Sequence, residues 1–364
     1  MEVSVFGPGF GECIVLHLGQ NEWVIVDSCV DAASKRSVAL DYLECLGVDA
    51  AARISMVVAT HWHDDHIGGF GGLFEECKAA GFACSMALSC EEWGTLVEIY
   101  RGYLQAGGSG VDELGRVMRE LKRRATQREV FAPSFCVAGR SLYERRGTLP
   151  ARIVSLAPSD AAIVTMQTRM RNELIPQAKG RRLRVPVLAE NDSAVVLAVS
   201  AGTASVLLGA DLEERKRPGL GWQVILDAHP SDGERFGGFK IPHHGSETGH
   251  HPDTWGRLMH PDAWAAVTPF NRLRDPLPKP ADCARILETT KDAYITAPPG
   301  LGKFKHREPA VQKTMQEATL AIGAEPGKQG HIRFRKMAGA DSAQWSVELF
   351  GHALALRALR EASF

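Results

Sequence analysis

Five of the six side chains in "HWHDDH", residues 61–66, are types that bind metal ions or carry protons: His61, His63, Asp64, Asp65 and His66. On a turn that follows a strand, His61 and His63 sit two apart and can point to the same side. Asp65 and His66 are offset and converge on a second point nearby. That is a geometry for two neighbouring metal ions. Imidazole and carboxylate together suit Zn²⁺, Mn²⁺ or Fe²⁺, and no cysteine lies close enough in sequence to make this a thiolate site.

Such side chains need rigid strand ends behind them. The run "ISMVVAT" reads as a short buried strand ending at the motif, and "GGFGGLFEECKAAG" after it as a helix, so the cluster stands at a strand-to-helix junction. Upstream, "CIVLHL" and "WVIVDSC" are joined by the turn "GQNE" as a hairpin, and "SKRSVALDYLECLGV" has helical spacing. Residues 91–130 are helical in pattern and read as an inserted lid or cap. After the strand "ARIVSLAPSD", residues 165–189 are polar, basic and proline-bounded, which predicts a long exposed loop insertion. A hairpin of "SAVVLAVS" and "GTASVLLGAD" follows, then "FGGFKIPHHGS", "AWAAVTPF", the helix "KPADCARILETTKD" and the strands "AYITAP", "GHIRFRK" and "QWSVELF". Strands and helices in two successive halves predict a layered α/β sandwich covered by helices, as one domain over residues 1–364.

The length allows a full core, and a net charge of −1 exerts no global pull toward nucleic acid or an acidic membrane. A polyanion would have to be gripped locally. Eight cysteines without a CxxC pair read as reduced thiols of a cytoplasmic protein. No stretch approaches the ~20 apolar residues of a membrane span, and the first residues lack a signal-peptide pattern.

"HWHDDH" fits the pattern HxHxDH. With Asp27 closing "WVIVDS", Asp211 closing "VLLGAD" and a histidine closing "FKIPHH" in the same order, the chain resembles the metallo-β-lactamase superfamily over most of its length. The resemblance implies an αββα sandwich of two mixed β-sheets flanked by helices, with two divalent ions, Zn or Mn, at one edge. It implies that His61 and His63 hold the first ion, that Asp65, His66 and one of His243 and His244 hold the second, and that Asp211 bridges. Asp27 would hold the histidine loop by hydrogen bonds. "NDSAVVL", "LLGADLE" and "KIPHHGS" are similar to the branch with the nuclease-like domain of the DNA-uptake protein ComEC and the phosphorylcholine esterases, which acts on phosphodiesters. That likeness favours His244 as ligand and His243 as a group that either supports the ligands or faces substrate, although the residues alone leave their order open. Glu213 matches the last acidic residue of G-D-x-E; it either orients Asp211, binds water or is simply a glutamate at a helix N-terminus.

One departure carries weight. Superfamily lactamases and glyoxalase-type hydrolases place another histidine between the motif and the bridging aspartate, and none occurs here between His66 and Asp211. The ion at His61 and His63 is therefore expected to be the weaker one, its open position taken by water, a phosphate oxygen, or the side chain of Asn191 or Asp192. This argues against β-lactam and thioester hydrolysis. In a second departure, "TPFNRLRDPLPKP" keeps Asn271 of an N-x-y-x-H-P element but has lost its histidine.

The expectation is a metal-dependent hydrolase of phosphodiester bonds, a nuclease or a cyclic or oligonucleotide phosphodiesterase. A hydroxide bridging two cations would attack, because metal binding lowers the pKa of water from 15.7 toward about 7. Asp65, Glu213 and His243 are the candidate catalytic groups, with His243 protonating the leaving alkoxide and Lys240 behind it. Substrate contacts are expected from Lys240, Ser246, Arg181 and Arg182. Lys122, Arg123, Arg124 and Arg128, and the loop that holds Arg181 and Arg182, read either as grips for a polyanion or as solvated surface; a grip would weaken steeply with salt. Two other readings stay open. One is a lactone, thioester or β-lactam hydrolase of the same fold; the other is a metal-binding regulatory subunit of a larger, defence-type assembly that docks a protein partner through the helical insertion.

Overall fold

The computed structural model describes residues 1–32, 34–101, 110–126, 133–176, 190–230, 233–301, 330–337 and 344–361. The first of two sheets contains β1 (Glu2–Phe6), β2 (Cys13–His17), β3 (Trp23–Val26), β4 (Ile54–Ala59), β5 (Gly81–Ser85) and β6 (Ser134–Cys136). Beyond β1 it is extended by β14 (His331–Arg335) and β15 (Ser346–Phe350), giving the order β15-β14-β1-β2-β3-β4-β5-β6. The second contains β7 (Arg140–Arg145), β8 (Ala151–Ser155), β9 (Leu197–Ala201), β10 (Ala204–Leu208), β11 (Phe236–Lys240), β12 (Met259–Val267), β13 (Ala293–Ile295) and β16 (Leu354–Ala355). Its order is β16-β13-β12-β11-β10-β9-β8-β7.

Helices α1 (Val38–Cys45), α2 (Ala50–Arg53), α3 (Phe70–Glu76), α4 (Glu91–Arg101), α5 (Gly110–Thr126) and α6 (Asp160–Arg169) belong to the side of the first sheet. Helices α7 (Trp222–Ala228), α8 (Asp253–Leu258), α9 (Pro280–Thr289) and α10 (Leu356–Glu361) cover the second. This is the expected αββα sandwich.

Both faces of each sheet are covered, which is why the central strands read as continuous apolar runs rather than alternating ones. In β4, Val57 and Ala59 face the helices while Met56 and Val58 face the other sheet. Trp264 of β12 stacks on Phe334 of β14 at 3.6 Å and ties the two sheets together. Each such buried side chain contributes roughly 1.5–3 kcal/mol.

Two expectations need correction. Residues 165–176 are not loop: α6 runs into a π-helical turn, Met170–Leu174, whose Met170 and Leu174 are buried in the core under α4. An apolar residue every three or four positions was hidden among the charges of "MQTRMRNEL". The remainder of that insertion, with Arg181 and Arg182, lies outside the described residues, as does Arg128.

The basic cluster on α5 departs from expectation as well. Arg124 is buried, donating to the carbonyls of Phe74 (2.6 Å), Cys77 (3.3 Å) and Ala80 (3.1 Å) and to Glu120 (2.9 Å). Arg124 therefore closes the C-terminal end of α3 rather than presenting charge to a polyanion. Arg123 pairs with the same Glu120.

The site-bearing loops all leave the sheets on one edge. Strands β3 and β4 are parallel, as are β10, β11 and β12, so their C-terminal ends open side by side. Ligands collect at such ends in α/β sheets.

Candidate metal centre

Asp27 follows β3 with a left-handed backbone (φ 59°), a conformation costly for a residue with a Cβ. The bend turns its carboxylate under the histidine loop. Oδ1 accepts from Thr60 N at 2.8 Å, and Oδ2 accepts from Thr60 Oγ1 and from His66 Nδ1, both at 2.7 Å. Because the Thr60 hydroxyl gives its proton to Asp27, it accepts from His61 Nδ1, 3.0 Å away. One carboxylate thus fixes the tautomer of two rings and leaves Nε2 of both His61 and His66 facing the site.

The partner loops come from the second sheet. Ala210 (φ 45°), His243 (φ 48°) and His244 (φ 53°) are all left-handed, which swings Asp211 and His244 back over the sheet edge. His244 Nδ1 donates to the Thr268 carbonyl at 3.1 Å, so its Nε2 is directed inward, 3.0 Å from Asp65 Oδ2 and 3.4 Å from Asp211 Oδ2. His66 Nε2 lies 3.3 Å from Asp211 Oδ1, and His61 Nε2 lies 3.9 Å from Asp211 Oδ2 and 3.1 Å from His63 Nδ1.

Three groups of donor atoms result among the described residues; the third, Glu12, Asp27 and His66, lies behind the centre, where His66 Nδ1 already donates to Asp27, and the other two face the sheet edge. Asp65, His66, Asp211 and His244 form one, and His61, His63 and Asp211 the other; within each, the donor atoms lie within 4.8 Å of one another. Asp211 belongs to both. His66 Nε2 and Asp211 Oδ1 are buried and face each other at 3.3 Å, with no other hydrogen-bond partner among the described residues. Buried polar atoms are rarely left so, and nitrogen and oxygen donors around a shared carboxylate fit divalent cations.

The charges agree. Burial, reinforced by the rings of His66 and His63, holds His61 well below the ordinary imidazole pKa. Burial opposes the charged form of His66 and His244 as well, but the carboxylates of Asp211 and Asp65 outweigh it, raising His66 far above its ordinary value and His244 to about 9. Despite their own burial, Asp65 and Asp211 are held below the usual carboxylate range by the same two imidazoles. A divalent cation bound here would compete with protons for these nitrogens, so its binding would strengthen as pH rises.

Around the centre, Asn191 Nδ2 donates to Glu213 Oε1 at 2.9 Å, and the same oxygen lies 3.9 Å from His243 Nδ1. His243 Nδ1 is 2.7 Å from Thr248 Oγ1, and burial lowers its pKa despite the carboxylates of Asp211 and Glu213. Ser246 is engaged as a cap, its hydroxyl accepting from Thr248 N at 3.3 Å.

Lys240 departs from its expected role. It is fully buried and ion-paired with Glu12, so it reaches neither solvent nor substrate. Glu12 also accepts from Thr268 Oγ1 at 2.5 Å, and Thr268 is the residue whose carbonyl holds His244. The pair joins the two sheets beneath the centre. Sequence reading missed Glu12 and Thr268; the signal was a charged residue preceding "CIVLHL" and a lysine ending the apolar strand "FGGFK".

Asp64, the remaining acid of the motif, faces away from both groups. Its Oδ1 accepts from Gly110 N at 2.8 Å, the first residue of α5, and a Cβ on Gly110 would lie 1.7 Å from the Trp62 carbonyl. The helical insertion is thereby seated directly on the histidine loop. Its apolar residues Trp93, Leu96, Val111, Leu114 and Val117 are buried in the core of the first sheet.

Residues 6–118 match the family model described as the metallo-β-lactamase superfamily. Among solved structures, the chain is similar to the metallo-β-lactamase fold protein YhfI from Bacillus subtilis, at 12% identity over 65% of this chain and 69% of that one, with a TM-score of 0.32. A metallo-β-lactamase from Cronobacter sakazakii with a HARLDQ motif is similar at 14% identity over 59% of this chain and 64% of that one, with a TM-score of 0.31. An archaeal metallo-β-lactamase superfamily protein from Sulfolobus tokodaii is similar at 14% identity over 62% and 72%, with a TM-score of 0.28. The comparison with curated proteins gives no match. Among the described residues, no helix is long and apolar enough to cross a membrane.

Proposed function

We propose that this chain, which carries the metallo-β-lactamase fold and two joined His/Asp groups, is a divalent-metal-dependent phosphodiesterase. The observation that carries the reading is the sharing of Asp211 by both donor groups. Divalent ions held by two groups that share a carboxylate would be neighbours, and in-line displacement at phosphorus is served by two neighbouring cations. Divalent cations bound here would supply Lewis acidity, lowering the pKa of water toward neutrality and offsetting charge on phosphoryl oxygens.

The chain's own residues do the rest. Asp27 and Thr268 hold His61, His66 and His244 in the tautomers that present Nε2. His243, partly exposed and with Nδ1 occupied by Thr248, has Nε2 left to deliver a proton to a leaving alkoxide. Glu213 faces His243 and orients Asn191.

On the His244 side, Phe270 lies 5.1 Å from the His244 ring and 5.5 Å from Phe10, over which the Arg272 guanidinium sits at 3.3 Å. A cation on an aromatic rim beside the centre suits an anionic substrate with a planar substituent. The absence of a histidine between His66 and Asp211 weighs against lactam and thioester substrates. Zinc and manganese both suit the donors; a nucleic acid or nucleotide is the natural form of the substrate.

The test is an activity panel on the purified chain with Mn²⁺ or Zn²⁺, using a bis-aryl phosphate, single- and double-stranded DNA, RNA, cyclic nucleotides, a lactone and a β-lactam. Metal-dependent cleavage of a phosphodiester is expected. Cleavage of the lactone or lactam alone would reject the reading.

A further inference from the structure

The two donor groups are unequal: four side chains supply one and three the other. The smaller group, His61, His63 and Asp211, begins at the loop against which a segment with an orphaned buried amide oxygen runs. Asn191 lies in the turn Glu190–Ser193 that leads into β9. Close by, Val195 N donates to Thr60 O at 3.1 Å, so the segment runs against the start of the histidine loop. Asn191 is 4% exposed. Its Nδ2 is fixed on Glu213 Oε1 at 2.9 Å, which settles the orientation of the amide, and its Oδ1 has no hydrogen-bond partner among the described residues.

Asp192, the neighbouring acid, is already committed. Its Oδ1 pairs with Arg215 Nε at 2.6 Å. A buried amide oxygen ordinarily has a partner, a hydrogen-bond donor or a cation, and Asn191 Oδ1 has none among the described side chains.

We propose that Asn191 Oδ1 is a protein ligand of the metal ion held by His61, His63 and Asp211, in place of the histidine absent between His66 and Asp211. Glu213 acts as its positioning residue by holding Nδ2 so that Oδ1 is the atom presented. A neutral amide oxygen is a harder and weaker ligand than imidazole, so this position favours Mn²⁺ more than a third histidine would and exchanges its ion more readily. Such an ion can also admit a phosphoryl oxygen without losing a strongly bound ligand.

The inference rests on the metal reading of the centre but on no particular substrate. The full-length chain, stripped of metal, is titrated calorimetrically with Mn²⁺ and separately with Zn²⁺, as wild type, N191A, N191H and D192A, with circular dichroism melts to establish folding. The wild type is expected to take up two ions. N191A should keep one at wild-type affinity and bind the other about tenfold or more weakly. D192A should weaken neither by as much, and N191H should restore the second site with its preference moved from Mn²⁺ toward Zn²⁺. Two ions bound by N191A with wild-type affinities would overturn the proposal, as would weakening by D192A alone. If N191A does not fold, N191H decides: a second site unchanged in affinity and metal preference overturns it. A wild type that binds no ion would end the metal reading itself, and this inference with it.

Discussion

Asp27 controls more of the centre than any single donor does, because one carboxylate sets the protonated nitrogen on both His61 and His66. His243 has the opposite position: it stands outside both donor groups and is free to carry a proton. His243→Ala should therefore retain both ions yet lower kcat for a diester with an alkyl leaving group by about 10²–10⁴. With a p-nitrophenolate leaving group, which departs without a proton, the loss should be small. Equal losses on the two substrates, measured by steady-state kinetics beside metal analysis, would remove His243 as the acid. Most of the donor residues were legible in the sequence because HxHxDH concentrates them. Glu12, Thr268 and the burial of Lys240 were not, since their partnership spans residues 12 to 268 and appears only when the two sheets close.

At the level of elements, left-handed residues at the ends of β3, β10 and β11 aim the loops, while the helical insertion clamps the histidine loop from outside. The clamp depends on Arg124, whose guanidinium satisfies three carbonyls at the end of α3 and in the turn beyond it. Arg124→Met should remove the guanidinium donor from the buried carbonyls of Phe74 and Ala80, while Cys77 O keeps Ala80 N at 3.0 Å, and lower stability by roughly 2–3 kcal/mol in urea titrations. An unchanged midpoint would show that the helix pair does not need the arginine. Lys122 and Arg123 are exposed as the sequence suggests, and the expectation fails at Arg124. "LKRRA" looked like a basic surface, but charge along a helix does not say which residue lies against the neighbouring helix. The strands β1, β5, β6 and β7 were likewise outside the runs picked out by pattern: β6 is short, and β7 is largely polar with an exposed face.

The whole molecule is held by contacts between segments far apart in the chain. His331 of β14 is an example, stacked on Phe6 at 4.2 Å and on Phe350 at 4.9 Å and edge-on to Tyr42. Burial, with help from Arg333, drops its pKa to about 3. The folded chain therefore keeps His331 neutral, while the unfolded chain takes up a proton as pH falls below about 6.5. Its contribution to stability is whole above that pH and is lost on acidification, at a limiting slope of about 1.4 kcal/mol per pH unit. His331→Phe should flatten the loss of stability between pH 6.5 and 5 by an amount approaching that slope. Equal slopes for variant and wild type would contradict the assignment. The sandwich itself could be foreseen, because burial on both faces leaves long apolar runs; the pairing of β14 with β1 across the chain could not.

The proposed role of Asp211 is to serve two divalent cations in a centre that cleaves phosphodiesters. The most direct measurement is hydrolysis of bis-p-nitrophenyl phosphate, a lactone and a β-lactam by the metal-stripped chain before and after Mn²⁺ or Zn²⁺ is restored, with Asp211→Asn beside the wild type. Only the restored wild type should turn over the phosphodiester, and Asp211→Asn should stay folded and at background. Turnover of the lactone or lactam with none of the phosphodiester, or full activity in Asp211→Asn, would contradict it.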